Sequence, residues 1–385
     1  MQPLTVRALS ALAIGLLFAG CSGNGSTAVA PSATVPDSLK HLTRSVGPDV
    51  PVEYVYVTNA GSNNVSAFHI AAGTGALTTV TSSPFAAGSG PRGLAVGLDR
   101  YLYVANTGSN SISAFHILAG TGALTTIGLY SSHGTAPDGV ASIGKCVFAA
   151  NGGSNKVSAF YIKGSSNAGA LMFEASYPAA SHPENIAVDA ASSFNPFVYV
   201  SNEGSNNVTA YKAVPTYPCT LTLIGSYSTG GTGPFGLAFD PTDTRLVVAN
   251  LTSSTVSFFA IGGGGALTLA GTPASGGSKP VGVAISNGYA FAPNENSDTV
   301  SSYETSNMML LPGSPGTGTY PQGVAVDPLG LFAYVANEST NDVSGYTINS
   351  GVLTSMGSPV ATGGTAPEFV ATCQRSGSKC KPPPL

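Results

Sequence analysis

Residues 54–70, YVYVTNAGSNNVSAFHI, are followed at residues 101–117 by a near copy, YLYVANTGSNSISAFHI. Each copy starts with alternating aromatic and β-branched residues, passes through a small polar turn and then alternates again, which is typical of a β-hairpin. The pattern recurs along the chain, and its central Asn lies at Asn59, Asn106, Asn151, Asn202, Asn250, Asn294 and Asn337. The spacing of 43 to 51 residues indicates one structural unit repeated seven times.

A second motif, Pro-x-Gly or a near variant, alternates strictly with the Asn motif. It begins at Pro91, Pro137, Pro183, Pro234, Pro280, Pro321 and Pro367. One full unit, residues 92–129, contains four strand patterns, RGLAVG, YLYVAN, SISAFHI and ALTTIGL. Four strands per repeat of this length are typical of a propeller blade. The sequence therefore predicts an all-β, seven-bladed propeller over residues 52–373, in which the recurring Asn serves the turn rather than a ligand.

The order of the motifs also predicts how the ring closes. The first unit begins at its second strand, near residue 54, whereas the last motif, APEFVATC at 366–373, is an inner strand with no blade after it. Pairing the two completes the seventh blade with one C-terminal and three N-terminal strands. An open ring would leave two unpaired strand edges, which proteins avoid.

The composition limits the classes of partner. Only 8% of the 385 residues are charged, the net charge is −4, and the 14 Lys and Arg residues are scattered singly. A nucleic-acid-binding surface needs a basic stripe to neutralise phosphates, so this class is excluded. We expect a monomer that binds a small molecule, such as a sugar or lactone, or a protein ligand.

The N-terminus is typical of an exported protein. Residues 1–20 contain Arg7 and then the apolar run ALSALAIGLLFAG, which is short for a membrane span. The run ends in FAGC, which resembles a bacterial lipoprotein signal and predicts lipid attachment at Cys21. Residues 21–51 are predicted to be a flexible tether, and residues 374–385 a C-terminal tail. We therefore expect a periplasmic or cell-surface protein that contacts the outer membrane only through its N-terminal lipid.

Positions that differ between the seven units are the candidates for function. The residue after each Pro of Pro-x-Gly and the residue after each recurring Asn lie on one face, around the mouth of the axial channel. These positions carry one cation, Arg92, together with the polar or acidic residues Asp138, Glu184, Glu203, Glu295, Gln322, Glu338 and Glu368. Six of the 18 acidic residues in the chain thus converge on one rim.

Four interpretations of this rim remain open. The carboxylates could hold Ca²⁺ or another divalent cation, which prefers oxygen ligands. One carboxylate, Glu184 or Asp138, could act as a general base toward water, with His182 oriented by Glu184. The rim could instead bind a sugar, a peptide or a partner, or its charges could simply keep the mouth solvated.

The remaining cysteines suggest one disulfide. An exported protein can form disulfides, and Cys373 and Cys380 enclose a short segment after the closing strand. Cys146 and Cys219 start strands in neighbouring blades, so we expect them not to pair. No spacing typical of a zinc site occurs.

The motifs resemble a known family. YVTN at 56–59 and GPRGLAV at 90–96 resemble YVTN-type propellers and the neighbouring lactonase-type family, which is named after 6-phosphogluconolactonase. YVSNEGSNNV at 199–208 and YVANESTNDV at 334–343 are similar to that family's Asn-Glu signature. The resemblance covers residues 52–373 and implies a seven-bladed propeller.

The resemblance implies less about activity. An active lactonase of this family is expected to have a Pro-Arg-His run, but Pro91 and Arg92 are followed by Gly93. Three functions therefore stay open. The first is ligand or partner binding at the mouth, the second is lactone hydrolysis with Arg92 steadying the oxyanion, and the third is a structural role in the cell envelope.

Overall fold

The computed structural model describes residues 53–164, 168–189, 196–240, 245–376 and 379–381. The predicted signal peptide, the tether and Cys21 lie outside these residues. Within them, the chain forms β-strands and two single-turn 3₁₀ helices, Gly152–Ser154 and Glu203–Ser205. The described part of the chain contains no helix with the length and apolar character needed to cross a bilayer.

The strands form seven antiparallel sheets, which confirms the predicted propeller. Blade 1 begins with β1 (Glu53–Asn59), β2 (Asn64–Ile70), β3 (Leu77–Thr79) and β4 (Phe85–Ala86). Blade 2 contains β5 (Pro91–Gly97), β6 (Tyr101–Asn106), β7 (Ser111–Ile117) and β8 (Leu124–Ser131). Blade 3 contains β9 (Pro137–Ile143), β10 (Cys146–Asn151), β11 (Lys156–Ile162) and β12 (Leu171–Pro178). Blade 4 contains β13 (Pro183–Val188), β14 (Phe197–Asn202), β15 (Asn207–Val214) and β16 (Thr220–Ser228).

The last three blades follow the same order. Blade 5 contains β17 (Pro234–Asp240), β18 (Arg245–Asn250), β19 (Thr255–Ile261) and β20 (Leu267–Gly271). Blade 6 contains β21 (Ala284–Ser286), β22 (Tyr289–Asn294), β23 (Thr299–Glu304) and β24 (Met309–Leu310). Blade 7 contains β25 (Pro321–Val326), β26 (Phe332–Asn337), β27 (Asp342–Asn349), β28 (Val352–Ser355) and β29 (Val360–Ala361). The chain then returns to blade 1 as β30 (Pro367–Ser376) and β31 (Lys379–Lys381).

The ring closes as the sequence predicts. β30 pairs antiparallel with β1, and the register runs from Glu53 opposite Gln374 to Asn59 opposite Pro367. β30 continues to Ser376, three residues beyond the predicted end of the propeller, and forms a hairpin with β31. Cys373 and Cys380 form a disulfide across this hairpin.

A second disulfide corrects the expectation that Cys146 and Cys219 stay unpaired. The two cysteines are bonded, with their Cα atoms 5.7 Å apart. The loop between β15 and β16 folds back onto the start of β10, where the Lys145 amide donates to the Pro215 carbonyl at 3.0 Å. This loop contact brings neighbouring blades within disulfide reach, and strand positions alone do not reveal it.

The core lies between the blades and explains the YVTN motif. The motif tyrosines are fully buried, and their hydroxyls donate to carbonyls in the outer hairpin of a neighbouring blade. Tyr56 donates to Gly122 and Tyr103 donates to Gly169, each at 2.9 Å. A buried hydroxyl needs such a partner, so each motif tyrosine fixes the next blade in place. The recurring Asn bonds across its hairpin, as when Asn59 donates to Ser66 Oγ at 2.8 Å.

The glycine of Pro-x-Gly is required by close packing around the channel. A Cβ atom at Gly93 would lie 2.5 Å from the Asp138 carbonyl oxygen in the next blade. Gly236 makes the same approach, and its amide donates to the Val281 carbonyl at 2.8 Å. The inner strands therefore touch at this level, and the residues next to these glycines lie close to the axis.

Candidate functional site

The backbone at the mouth is built in the same way in all seven blades. The residue before each motif proline has a positive φ, between 47° and 66°. Its amide donates to a side-chain oxygen from the turn of the preceding blade. These oxygens belong to Asn63, Asn110, Asn155, Asn206, Ser254, Asp298 and Asn341. The repeated bond holds each loop against its neighbour and fixes where the mouth side chains start.

Three blades place a large side chain at this left-handed position. Blades 2 and 5 have Gly90 and Gly233 there, whereas His182, Lys279 and Tyr320 occupy it in blades 4, 6 and 7. A left-handed conformation is costly for any residue with a Cβ atom. The strain is explained if these side chains serve the mouth, because strained residues concentrate at functional sites.

Arg92 forms the first cluster of the mouth. Its guanidinium lies 3.1 Å from Asp138 Oδ1 and 3.4 Å from Glu368 Oε2. Both carboxylates are buried, and Thr107 also donates to Asp138 Oδ1 at 3.1 Å. Burial raises the pKa of Asp138 and of Glu368, while the charge of Arg92 opposes this effect. Burial acts to lower the pKa of Arg92, but the neighbouring carboxylates outweigh it and hold that pKa above its ordinary value.

His182 forms the second cluster, with two glutamates of its own blade. Its Nδ1 lies 2.8 Å from Glu184 Oε1 and 3.1 Å from Glu203 Oε2. Glu184 is only 4% exposed, and its other oxygen, Oε2, is buried with no hydrogen-bond partner among the described residues. Burial, followed by the charge of Asp138, raises the pKa of Glu184 to about 8. This carboxyl is the least satisfied group among the predicted site residues.

The remaining rim residues form pairs. Lys279 Nζ lies 3.3 Å from Glu295 Oε1, and Gln322 donates to Glu338 Oε2 at 2.9 Å. Tyr320 bonds to Glu295, which raises the pKa of the tyrosine to about 12. The structure thus brings the predicted rim residues together, but as separate clusters and pairs rather than one carboxylate ring.

Blade 5 gives the mouth an apolar wall. Phe235 and Leu251 occupy positions at which other blades carry charged residues, and Val281 has the position of Phe235 in blade 6. Arg92 reaches across from blade 2, and its Cζ lies 5.9 Å from the centre of the Phe235 ring. A polar wall facing an aromatic ring is an arrangement that suits a small ligand with a polar and an apolar face.

Below the mouth, the channel becomes apolar. Two to four residues further along each inner strand, side chains such as Val140, Ile186, Leu237 and Val324 line a cavity of about 260 Å³. The polar chemistry of the axis is therefore concentrated at the mouth.

Sequence comparison of the blades missed Tyr320 and gave Thr107 and Lys279 no role. The signal was present, because the position before the motif proline also varies between Gly, Ala, His, Lys and Tyr. Only the positions after the proline and after the recurring Asn were compared. The left-handed backbone that makes the position before the proline informative is visible only in the structure.

Comparison with known proteins gives one family match and several similar structures. Residues 95–188 and 173–285 match the family described as "Lactonase, 7-bladed beta-propeller". A comparison with curated protein sequences gave no match. A candidate 6-phosphogluconolactonase from Bacteroides fragilis has a similar structure, with a TM-score of 0.71 and 19% identity over 84% of this chain and 98% of that one. The periplasmic gluconolactonase of Pseudomonas aeruginosa gives a TM-score of 0.66 and 17% identity over 83% of this chain and 99% of that one. At these identities, the similarity to solved structures shows a shared fold and nothing further.

Proposed function

Because the chain belongs to the lactonase family of seven-bladed β-propellers, we propose that its mouth binds a small, unphosphorylated lactone or sugar. The observation that carries the proposal is Glu184, a buried carboxylate with an oxygen to which no group in the described part of the chain donates a hydrogen bond. Buried polar atoms are nearly always paired, so a ligand hydroxyl is a natural partner for this oxygen. The ring of Phe235 would support the apolar face of the same ligand.

The charges of the mouth disfavour a phosphorylated ligand. Arg92, after a motif proline, and Lys279, before one, are the two Lys or Arg residues at the mouth positions of the blades, and each already contacts a carboxylate. A phosphate would have to displace these carboxylates or approach the remaining acidic groups, and both cost free energy. We therefore expect the family's phosphosugar substrate class to bind poorly here.

Calorimetric titration with gluconolactam tests the binding proposal, since a lactam resists ring opening and separates binding from turnover. We expect saturable binding to the wild-type protein and at least tenfold weaker binding of the 6-phosphate. Phe235→Ala and Glu184→Gln should each weaken binding about tenfold, as expected for loss of about 1.4 kcal/mol. Glu304→Gln, on the third strand of blade 6, is the matched control. Equal affinity in all variants would show that the ligand binds elsewhere.

Lactone hydrolysis is the second candidate, and the free oxygen of Glu184 favours it. Glu184 Oε2 would accept a proton from water as the water oxygen attacks the lactone carbonyl carbon. Arg92 would stabilise the oxyanion. Glu184 would then donate the proton to the ring oxygen as the bond between that oxygen and the carbonyl carbon breaks, which gives the hydroxy acid. A pKa of about 8 makes Glu184 a stronger base than an ordinary glutamate. Asp138 is less suited, because Arg92 and Thr107 already occupy its Oδ1.

Steady-state hydrolysis of unphosphorylated aldonolactones tests the second candidate. Glu184→Gln should lower kcat by at least a hundredfold while the melting temperature stays the same or rises. Absence of turnover together with tight lactam binding would leave a binding protein. Absence of both would favour the structural role in the cell envelope.

We further propose that the protein is exported and anchored through a lipid on Cys21. Two disulfides in the described chain support an oxidising compartment. Expression with a radiolabelled fatty acid should label the wild-type protein in the membrane fraction. Cys21→Ser should abolish the label and release the protein into the soluble fraction. Membrane association unchanged in Cys21→Ser would exclude this anchor.

A further inference from the structure

Two loops of blade 4 bring three metal-binding side chains together. His182 and Glu184 flank Pro183 at the start of β13, and Glu203 follows β14. One nitrogen or oxygen atom from each side chain lies within 4.8 Å of the other two. Ligands at adjacent corners of an octahedron with bonds of about 2.1 Å lie about 3.0 Å apart. The observed separations of 2.8 Å and 3.1 Å between His182 Nδ1 and the two carboxylates match this spacing.

The cluster holds more acceptor capacity than its own donors use. A neutral His182 has one proton to offer at Nδ1, and two carboxylate oxygens face that atom. Glu184 Oε2 remains buried and unpartnered beside them. A cation bound between the three side chains would replace the single proton and could also use the free oxygen.

The local charge also favours a cation. Around Glu184, the carboxylates that affect its ionisation are Asp138, Glu203 and Glu368, whereas Arg92 is the cation that acts on it. Several carboxylates near one guanidinium leave an excess of negative charge in a partly desolvated site. Such an excess is costly unless a cation or protons neutralise it.

The two loops are held in position before any ion binds. The His182 amide donates to Asn155 Oδ1 at 2.8 Å, which fixes the left-handed backbone of His182. The Glu203 amide donates to the His182 carbonyl at 2.9 Å, which ties the second loop to the first. A preformed ligand set lowers the conformational entropy lost on binding.

We propose that His182 Nδ1, Glu184 and Glu203 bind one first-row divalent transition-metal ion, Mn²⁺ or Zn²⁺. An imidazole ligand distinguishes this site from a Ca²⁺ site, which takes oxygen ligands. Three protein ligands would leave further coordination positions open, as in catalytic rather than structural metal sites. With the ion bound, Glu184 would be a metal ligand and could not also act as the general base.

Metal binding can be measured without any lactone, so this inference stands or falls separately from the proposed function. The full-length protein is stripped with chelator and titrated with MnCl₂, while free Mn²⁺ is followed by electron paramagnetic resonance. We expect one ion per chain, with competition by ZnCl₂ and little competition by CaCl₂.

Two variants and one control identify the ligands. His182→Gly removes the imidazole at a position whose backbone favours glycine, so the variant should fold and bind Mn²⁺ at least tenfold more weakly. Glu203→Gln should have a similar effect, while Glu304→Gln, on the third strand of blade 6, should bind like the wild type. Unchanged affinity in the first two variants, no saturable binding, or Ca²⁺ competing as well as Zn²⁺ would each overturn the proposal.

Discussion

At the scale of single residues, the seven blades form an internal comparison in which each position is seen in seven copies. The recurring Asn and the tyrosine of the YVTN motif make the same contacts wherever they occur, which identifies them as part of the fold. His182 and Glu184 occupy repeated backbone positions, but among the described blades blade 4 alone joins an imidazole to two carboxylates there. Function is therefore expected where the copies differ and the backbone does not.

Ala136 provides a test of the left-handed position that involves no mouth chemistry. Its φ is 47°, so Ala136→Gly should raise the free energy of unfolding by about 0.5–1 kcal/mol. Ala95→Gly, within the regular strand β5, should lower it by a similar amount. Chemical denaturation of both variants checks the pair. Destabilisation by Ala136→Gly would mean that the position is not strained.

At the scale of strands and blades, the sequence predicted the elements well because local pattern and fold agree. The alternation of residue types in YLYVAN and SISAFHI predicted β6 and β7 directly. The Cys146–Cys219 disulfide was missed because it depends on a loop contact between blades. The separation of the mouth into clusters was missed because side-chain direction at the left-handed positions cannot be read from spacing.

The bond between Tyr103 and Gly169 tests how blades are joined. Tyr103→Phe leaves the buried carbonyl of Gly169 without its donor and should lower the free energy of unfolding by about 1–2 kcal/mol. Tyr217→Phe, at a tyrosine that is 62% exposed, should have little effect. If the two variants unfolded alike in denaturant, the buried hydroxyl would not contribute to blade packing.

The seam, by which we mean the pairing of β1 with β30, should contribute to stability in a pH-dependent way. Glu53 of β1 is 5% exposed and accepts a hydrogen bond from Gln374 of β30 at 2.9 Å. Burial, and then the charge of Asp327, raises its pKa from 4.5 to about 7. The folded protein thus binds the proton on Glu53 more tightly than the unfolded chain does. The stability that this bound proton contributes is therefore lost as the pH rises from about 4.5 to 7.

Glu53→Gln should remove this dependence. The variant should match the wild type near pH 4 and be more stable at pH 8, by up to about 3 kcal/mol. Unfolding by denaturant at the two pH values measures the difference. A variant less stable than the wild type at pH 8 would show that the charged carboxylate stabilises the seam.

At the scale of the whole molecule, closure by β30 joins the two ends of the ring. Deleting residues 366–385 removes the partner of β1 and leaves an open blade. We expect the melting temperature to fall by more than 10 °C or cooperative unfolding to disappear. Deleting residues 379–385 leaves β30 in place and should cost much less. A longer truncation that melted within a couple of degrees of the full chain would contradict the closure.

We expect the mouth of blade 4 to carry function on a scaffold whose stability does not depend on it. The most direct test is the triple variant His182→Gly, Glu184→Gln, Glu203→Thr, in which all three side chains are replaced by uncharged residues. At the positions of His182 and Glu203, the new residues are those that blade 2 already has. Calorimetric titration with gluconolactam, beside a thermal melt of the same sample, gives both readouts. We predict an unchanged or higher melting temperature and no detectable binding. Wild-type affinity in a folded triple variant would contradict the account.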